Sequence, residues 1–409
     1  MLNIVIINGG RGASATIPAL LGRQGLYVTS VVNAYDDGKS TGEIRRFFGM
    51  VGPSDIRKVQ ELMLPKDDVD YLSNLQVFRY RFSKSCVRDK VLADLSAFSD
   101  GSKPDLEGMF FTSVKVQTAL RSFIQEFLEG LNCIEQVIGE RFGFADCSLM
   151  NCIYAGAFLK FNRNFEQATI FIDRLFKLQG TVLPTSIENK KLVALRENGQ
   201  MLYSEADIVE LRSNVRIENL FLLDNLLDKE AFDVLSIEEK RYYLSRHHCY
   251  VSVSSSVKLA LQQADIIIYS AGTQHSSLYP TYMSVGLAQA IADNKLAYKV
   301  FMTNIGADYE TPNYLASDYI LGAHRYLNFS DTRRYGMNEL FNAVLINQSK
   351  LKADETYVTY DASGFADVPV RRVVQTFESA DTLGKHDGAK VVQTILDLYE
   401  DATSLGGAK

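Results

Sequence analysis

The chain has 409 residues, 46% of them apolar and 22% charged, with a formal net charge of −6. That length supports one to three domains, and that composition excludes global disorder. The acidic balance argues against nucleic acid as a partner and leaves anion binding to a local cleft.

The opening "MLNIVIINGG" has no basic leader and no cleavage site, so it reads as a first strand and not as a signal peptide. Residues 2–7, "LNIVII", form a short apolar run rich in β-branched side chains, the pattern of a strand buried on both faces of a parallel sheet. "SATIPALLGRQG" then has helical spacing with an early proline, and "LYVTSVV" is a second strand, which completes a β-α-β unit. Residues 58–147 change to helical periodicity with many aromatics, among them Phe78, Tyr80, Phe82, Phe98, Phe110 and Phe111. We read this stretch as a helical insertion or cap over the sheet, and residues 180–225 as a small β excursion. The β-α alternation returns at "VKLALQQADIIIYSAG", with a strand at Ile266–Tyr269, and again at "AYKVFMTN". "GAKVVQTILDLYED" closes the chain as a helix. The expectation is a single α/β domain over residues 1–409: a Rossmann-like, doubly wound, mainly parallel sheet whose ligand loops follow residues 7, 33, 269 and 303.

No apolar run approaches the roughly 20 residues that span a bilayer, so the expectation is a cytoplasmic chain with no membrane partner. Five cysteines, Cys86, Cys133, Cys147, Cys152 and Cys249, lack C-x-x-C spacing, which argues against a zinc site or a disulfide framework. A homo-oligomer is left open.

Three loops carry the chemistry. "NGGRGAS", residues 8–14, joins the first strand to the first helix, where backbone amides attract anions and Gly9, Gly10 and Gly12 let the backbone approach a phosphate. Ala15 takes the last place of a G-x-G-x-x-G, and a structural turn would use the same glycines. "DDGKSTG" follows the second strand. Asp36 stands where a Rossmann site places a carboxylate on ribose, which makes a dinucleotide the first candidate. Asp36 and Asp37, with Asp55 in "GPSDIRK", also suit Mg²⁺ bridging diphosphate oxygens; the competing reading is carboxylates capping turn amides. Lys39, Ser40 and Thr41 read as anion donors. Of Arg45, Arg46 and Arg57, only Arg57 is chosen, because it follows the Gly-Pro turn and Asp55. The third loop, "SAGTQHSS", offers hydroxyls for a second phosphate or a sugar; its His275 is either an acid-base group or, as for most loop histidines, structural. A nucleophile elbow and a Walker A lysine are missing.

In this order the loops resemble one family. "VVNAYDDGKSTGEIRRFFGMVGPSDIRK" is similar to the CofD/YvcK signature A-D-D-G-G-S-S-G with F-G-M and P-G-D-I-R-N, and "GTVLPTSIENKKLVALRENGQMLYSEADI" resembles its V-L-P-A-T stretch. "ADIIIYSAGTQHSSLYP", "KVFMTNIGADYETPNYLASDYI" and "KHDGAKVVQTILDL" resemble three later motifs, so the likeness covers nearly the whole chain outside residues 58–140.

The resemblance implies a fold that binds a nucleoside diphosphate or its conjugate. One branch is a Mg²⁺-dependent transferase that moves a phospholactyl-type group from a guanosine diphosphate carrier to an acceptor hydroxyl. The other binds UDP-sugars in the control of carbon metabolism, and the acidic motif here is worded closer to that branch. Matched by position, the glycines 9, 10 and 12, the pair Asp36 and Asp37, and Asp55 with Arg57 fall on the family's motifs. So do Asn151, Gly272 with Thr273, and Asn304, Glu310 and Thr311. Asp37 and Asp55 take the catalytic places in the transferase reading, and Asp36, Asp37 and Asp55 the metal places. Arg11, Lys39, Ala271 and "GADYET" depart from the family wording.

Overall fold

A computed structural model describes residues 1–106, 108–109, 111, 113–348 and 356–406. Ten strands are present among them: β1 (Leu2–Asn8), β2 (Leu26–Val32), β3 (Thr181–Pro184), β4 (Lys191–Arg196), β5 (Met201–Leu202), β6 (Ile217–Leu223), β7 (Ile266–Tyr269), β8 (Tyr298–Met302), β9 (Ala343–Asn347) and β10 (Arg371–Gln375). Seven of them build one sheet in the order β10-β9-β8-β7-β1-β2-β3, and every neighbouring pair is parallel. The chain winds from β1 to β2 and β3 on one side, then restarts at β7 on the other side of β1. The strand order therefore reverses between β1 and β7, the switch point whose crevice, outside the carboxyl ends of the strands, receives the ligand loops in doubly wound sheets.

Apolar side chains on both faces of each strand explain why the sheet is sandwiched. Ile4, Ile6, Val28 and Val32 pack into one core, and their alternating neighbours Val5, Ile7 and Val31 pack into the other. The first core is roofed by the crossover from β2 to β3. This holds seven helices: Lys39–Phe48, Ser54–Leu62, Tyr71–Arg79, Arg88–Ser99, Val114–Ile138, Leu149–Lys160 and Phe165–Leu175. The helical layer is thus broader than residues 58–147.

Its aromatics are interior packing. Phe78, Phe82 and Phe98 are buried, Tyr80 and Phe111 pack against the same core, and Phe110 lies outside the described residues. The 25-residue helix Val114–Ile138 starts on Ser113, whose hydroxyl accepts from the Val116 amide, and stops at Gly139 with φ 72°. It lies so close to the helix Leu149–Lys160 that a Cβ on Gly156 would stand 1.7 Å from the Phe123 carbonyl oxygen.

The β excursion is narrower than residues 180–225. β3 belongs to the main sheet, paired with Thr29–Val32 of β2, and only β4, β5 and β6 form the small antiparallel sheet, in the order β5-β4-β6. One face of that sheet joins the second core through Leu192, Ala194, Leu202, Leu220 and Leu222. The other closes a small core of its own around Val193, Leu195, Phe221 and Leu244. Among the described residues no helix is long and apolar enough to cross a membrane.

Candidate functional site

The loop after β1 and the loop after β7 touch across the crevice. A Cβ on Gly12 would stand 2.2 Å from the Ala271 carbonyl oxygen and 2.9 Å from Gly272 Cα, and one on Gly9 would stand 2.6 Å from Ser277 Cβ. A Cβ on Gly10 would meet Asp55 Oδ1 at 2.3 Å, so the start of the helix Ser54–Leu62 closes on the same loop. Only glycine fits any of the three positions as packed. Beneath them Asn8 is buried; its Nδ2 donates to the Gly9 carbonyl at 2.9 Å and its Oδ1 accepts from Ser30 Oγ at 2.6 Å, which joins the ends of β1 and β2.

The acidic turn after β2 forms the next wall. Asp36 Oδ1 accepts from the Gly38 amide at 3.0 Å. Its pKa is raised, first by burial and then by the charge of Asp55. Asp55 Oδ1 lies 2.7 Å from Lys58 Nζ, which is also 4.0 Å from Asp36 Oδ2. Asp37 turns to other cations: Arg45 Nη1 at 3.3 Å and Lys191 Nζ at 3.9 Å. Its amide donates to Glu205 Oε2 at 3.3 Å, and Glu205 is pushed up to about 8 by burial and then by Asp36.

Every carboxylate of the expected Mg²⁺ set already has a cation, and Asp37 is drawn off toward Arg45. Among the described residues no three His, Cys, Asp or Glu side chains are grouped to hold a metal ion. As they stand, Asp36, Asp37 and Asp55 do not fit a common Mg²⁺ cage.

Arg45, passed over in the sequence in favour of Arg57, is fully buried. Its guanidinium donates to the Tyr35 and Asp36 carbonyls at 2.9 and 3.3 Å, to Asn189 Oδ1 at 2.9 Å and to the Lys190 carbonyl at 2.5 Å. It therefore ties the acidic turn to the root of the small sheet. Arg57, chosen from sequence as a ligand donor, instead sits in the helical layer. Its Nη1 donates to the Phe78 carbonyl at 2.7 Å and burial lowers its pKa. Ser40 and Thr41 are buried in the first turn of the helix Lys39–Phe48. Ser40 Oγ accepts from Asn151 Nδ2 at 3.2 Å, and Asn151 Oδ1 is buried with no partner. Lys39 opens that helix, and its side chain lies outside the described residues.

The loop after β7, the second of the two that meet at the switch point, is held by the residues expected to touch ligand. Asn304 Oδ1 accepts from the Gly272 amide at 2.9 Å, and its Nδ2 donates to the Gly272 carbonyl at 3.0 Å. Glu310 Oε2 accepts from the His275 and Ser276 amides at 3.0 and 2.9 Å, and Oε1 from Ser276 Oγ at 2.5 Å, which caps the π-helical turn Gln274–Leu278. Thr311 Oγ1 spans Asp308 Oδ1 and the Tyr319 hydroxyl. Thr273 Oγ1 is 2.9 Å from Ser277 Oγ. Glu310 is wholly buried and is pushed up to about 8 by burial, then by Asp308. His275 is buried beside Tyr279, and burial drops it to about 3, so its ring stays neutral at physiological pH, with Nδ1 unpartnered among the described residues.

Sequence reasoning missed Lys58, Glu205, Asn33 and the role of Arg45. Asn33 Nδ2 donates to the Ser276 carbonyl at 3.0 Å, which bolts the end of β2 to the second loop. Only Lys58 and Arg45 carried a usable signal: Lys58 stands three residues from Asp55 on one helix face, and Arg45 falls between Thr41 and Phe48 on the buried stripe.

These features define a doubly wound α/β protein whose glycine loop and hydroxyl-rich second loop meet at the reversal of strand order. The chain belongs to the CofD family: the family model described as 2-phospho-L-lactate transferase CofD matches residues 4–380. It is similar to the gluconeogenesis factor of Listeria monocytogenes, 23% identical over 404 residues that cover 98% of this chain and 97% of that protein. The gluconeogenesis factor of Listeria innocua is also 23% identical, over 396 residues covering 96% and 94%. A crystal structure of a upf0052 family protein from Bacillus halodurans shares the fold, with a TM-score of 0.65 and 19% identity over 96% of this chain and 99% of that one.

Proposed function

We propose that the chain binds a nucleoside-diphosphate compound, a nucleotide sugar such as a UDP-sugar, as a cytoplasmic metabolic or regulatory protein. The observation that carries this reading is the contact of Gly12 with Ala271 and Gly272. It brings the glycine loop and the hydroxyl-rich loop to one place at the switch point, where a pyrophosphate can approach the backbone of the first and the hydroxyls of the second. Asp36 stands at the end of β2 for ribose hydroxyls, and Asn151 Oδ1 offers a buried acceptor that has no protein partner. The names of the Listeria relatives support a role in carbon metabolism.

A second reading, transfer of a phosphoester-linked group to an acceptor hydroxyl with release of a nucleoside monophosphate, is favoured by the description of the family model. Asp55 or Asp37 would orient the acceptor there, once freed from Lys58 or Arg45.

Thermal melting with UDP-N-acetylglucosamine, UDP, GDP and NAD, each with and without Mg²⁺, separates the readings. Ligand at a hundredfold over its dissociation constant stabilises by about 2.7 kcal/mol. A UDP-sugar shift that ignores Mg²⁺ supports the binder, and a GDP shift that needs Mg²⁺ supports the transferase. An NAD shift alone refutes both.

A further inference from the structure

The fixed cations around the acidic turn differ in what they can still do. Arg45 is fully buried and bonded to four backbone and side-chain acceptors besides Asp37. Arg57 is buried against the Phe78 carbonyl. Lys58 is different: its side chain keeps 27% of its surface exposed, and its stem runs over the glycine loop, where a Cβ on Gly10 would lie 2.9 Å from Lys58 Cδ. Its ammonium stands between Asp55, at 2.7 Å, and Asp36, at 4.0 Å. Asp37 takes both Arg45 and Lys191, so Lys58 alone serves Asp36 and Asp55 and is, among the described residues, the one cation at the turn that is neither buried nor committed to Asp37.

We propose that Lys58 is the built-in cation of the crevice, pairing through its ammonium with the ligand's diphosphate while it bridges Asp36 and Asp55, so that binding needs no divalent metal. The inference rests on the diphosphate reading above. A lysine ammonium has three donors, enough to keep Asp55 and still meet a phosphate oxygen. Its flexible stem lets it shift between them without moving the helix.

The test is isothermal titration of the full chain with UDP-N-acetylglucosamine and with GDP, each in EDTA and in excess Mg²⁺. Wild type should bind its nucleotide with the same affinity in both buffers. Lys58→Met should lose roughly tenfold or more in EDTA, the scale of a charge-assisted hydrogen bond. Mg²⁺ should restore part of that loss, because the variant leaves Asp36 and Asp55 facing each other without a cation. Lys58→Arg should bind as wild type, which separates loss of charge from loss of fold. Arg11→Met removes an equal charge from the exposed residue of the same loop, and its effect should be the same in EDTA and in Mg²⁺. Wild-type binding that vanishes in EDTA, or Lys58→Met binding at wild-type affinity there, overturns the proposal while leaving the diphosphate reading standing. So does a Lys58→Met loss that Mg²⁺ leaves untouched. Absence of binding by wild type to either nucleotide in both buffers overturns the two together.

Discussion

Replacing Gly12 by alanine tests whether the two loops act as one site. The added methyl would lie 2.2 Å from the Ala271 carbonyl oxygen, against an ordinary contact of 3.4 Å or more, so the loops after β1 and β7 must part by at least 1.2 Å. The obstructing atom is backbone at the end of a central strand and cannot swing away as a side chain would. Overpacking of this kind costs about 1–3 kcal/mol, and a rigid obstacle places Gly12→Ala toward the upper end. The opened crevice should also lose nucleotide affinity by at least about tenfold, equivalent to about 1.4 kcal/mol. Urea unfolding gives the first quantity and titration with the preferred nucleotide the second. Gly22→Ala is the control: it sits at a helix end with φ −72°, and its new methyl meets nothing nearer than 3.4 Å. Equal stability and equal affinity for the two variants would refute the contact that the functional reading depends on.

Arg45→Met should destabilise by about 3–5 kcal/mol in urea unfolding, because it strips Asp37 of its buried partner and frees several acceptors at once; Arg45→Lys should not rescue it, since an ammonium cannot span the same acceptors. Glu310 binds its proton more tightly when folded, its pKa pushed up to about 8 from the ordinary 4.5, so its contribution to stability is complete below pH 4.5 and fades as pH rises through about 8. Glu310→Gln keeps acceptors for the 275 and 276 amides and should flatten that part of the stability–pH curve; an unchanged slope between these limits would show that the group titrates normally. Asn151→Leu should cost about 1 kcal/mol in urea unfolding, the loss of the buried Nδ2–Ser40 Oγ bond, and should weaken nucleotide binding several-fold in the same titration, as Oδ1 has no protein partner among the described residues.

What the sequence disclosed followed from how many faces of each segment are buried. β1 and β2 are read almost to the residue because continuous β-branched runs have no other comfortable place than the middle of a parallel sheet. β7 stands out for the same reason. β10 has exposed and half-buried residues only, a sheet edge with no periodic signal, and it escaped notice together with β9, whose run Ala343–Asn347 is short enough to pass for helix. In the site, glycines and aspartates announced themselves because their chemistry is local. Arginines did not: Arg45 and Arg57 look alike in sequence, but Arg45 is held by the nearby Tyr35 and Asp36 carbonyls together with Lys190, 145 positions away, and Arg57 by Phe78 of the next helix. Glu205 arrives from the small sheet and its neighbours give no hint of Asp37.

The central pairing of β1 with β7 has a consequence for biosynthesis. Asn3 and Asp265, bonded at the base of those strands, are 262 positions apart. While the ribosome is still making the helical crossover, the first strand has β2 beside it but nothing on its other flank, and the junction of the two loops does not yet exist. Loop closure over such a span is slow and leaves an unpaired strand flank exposed to aggregation. Only chains translated past β7 can close that flank and bring the two loops together.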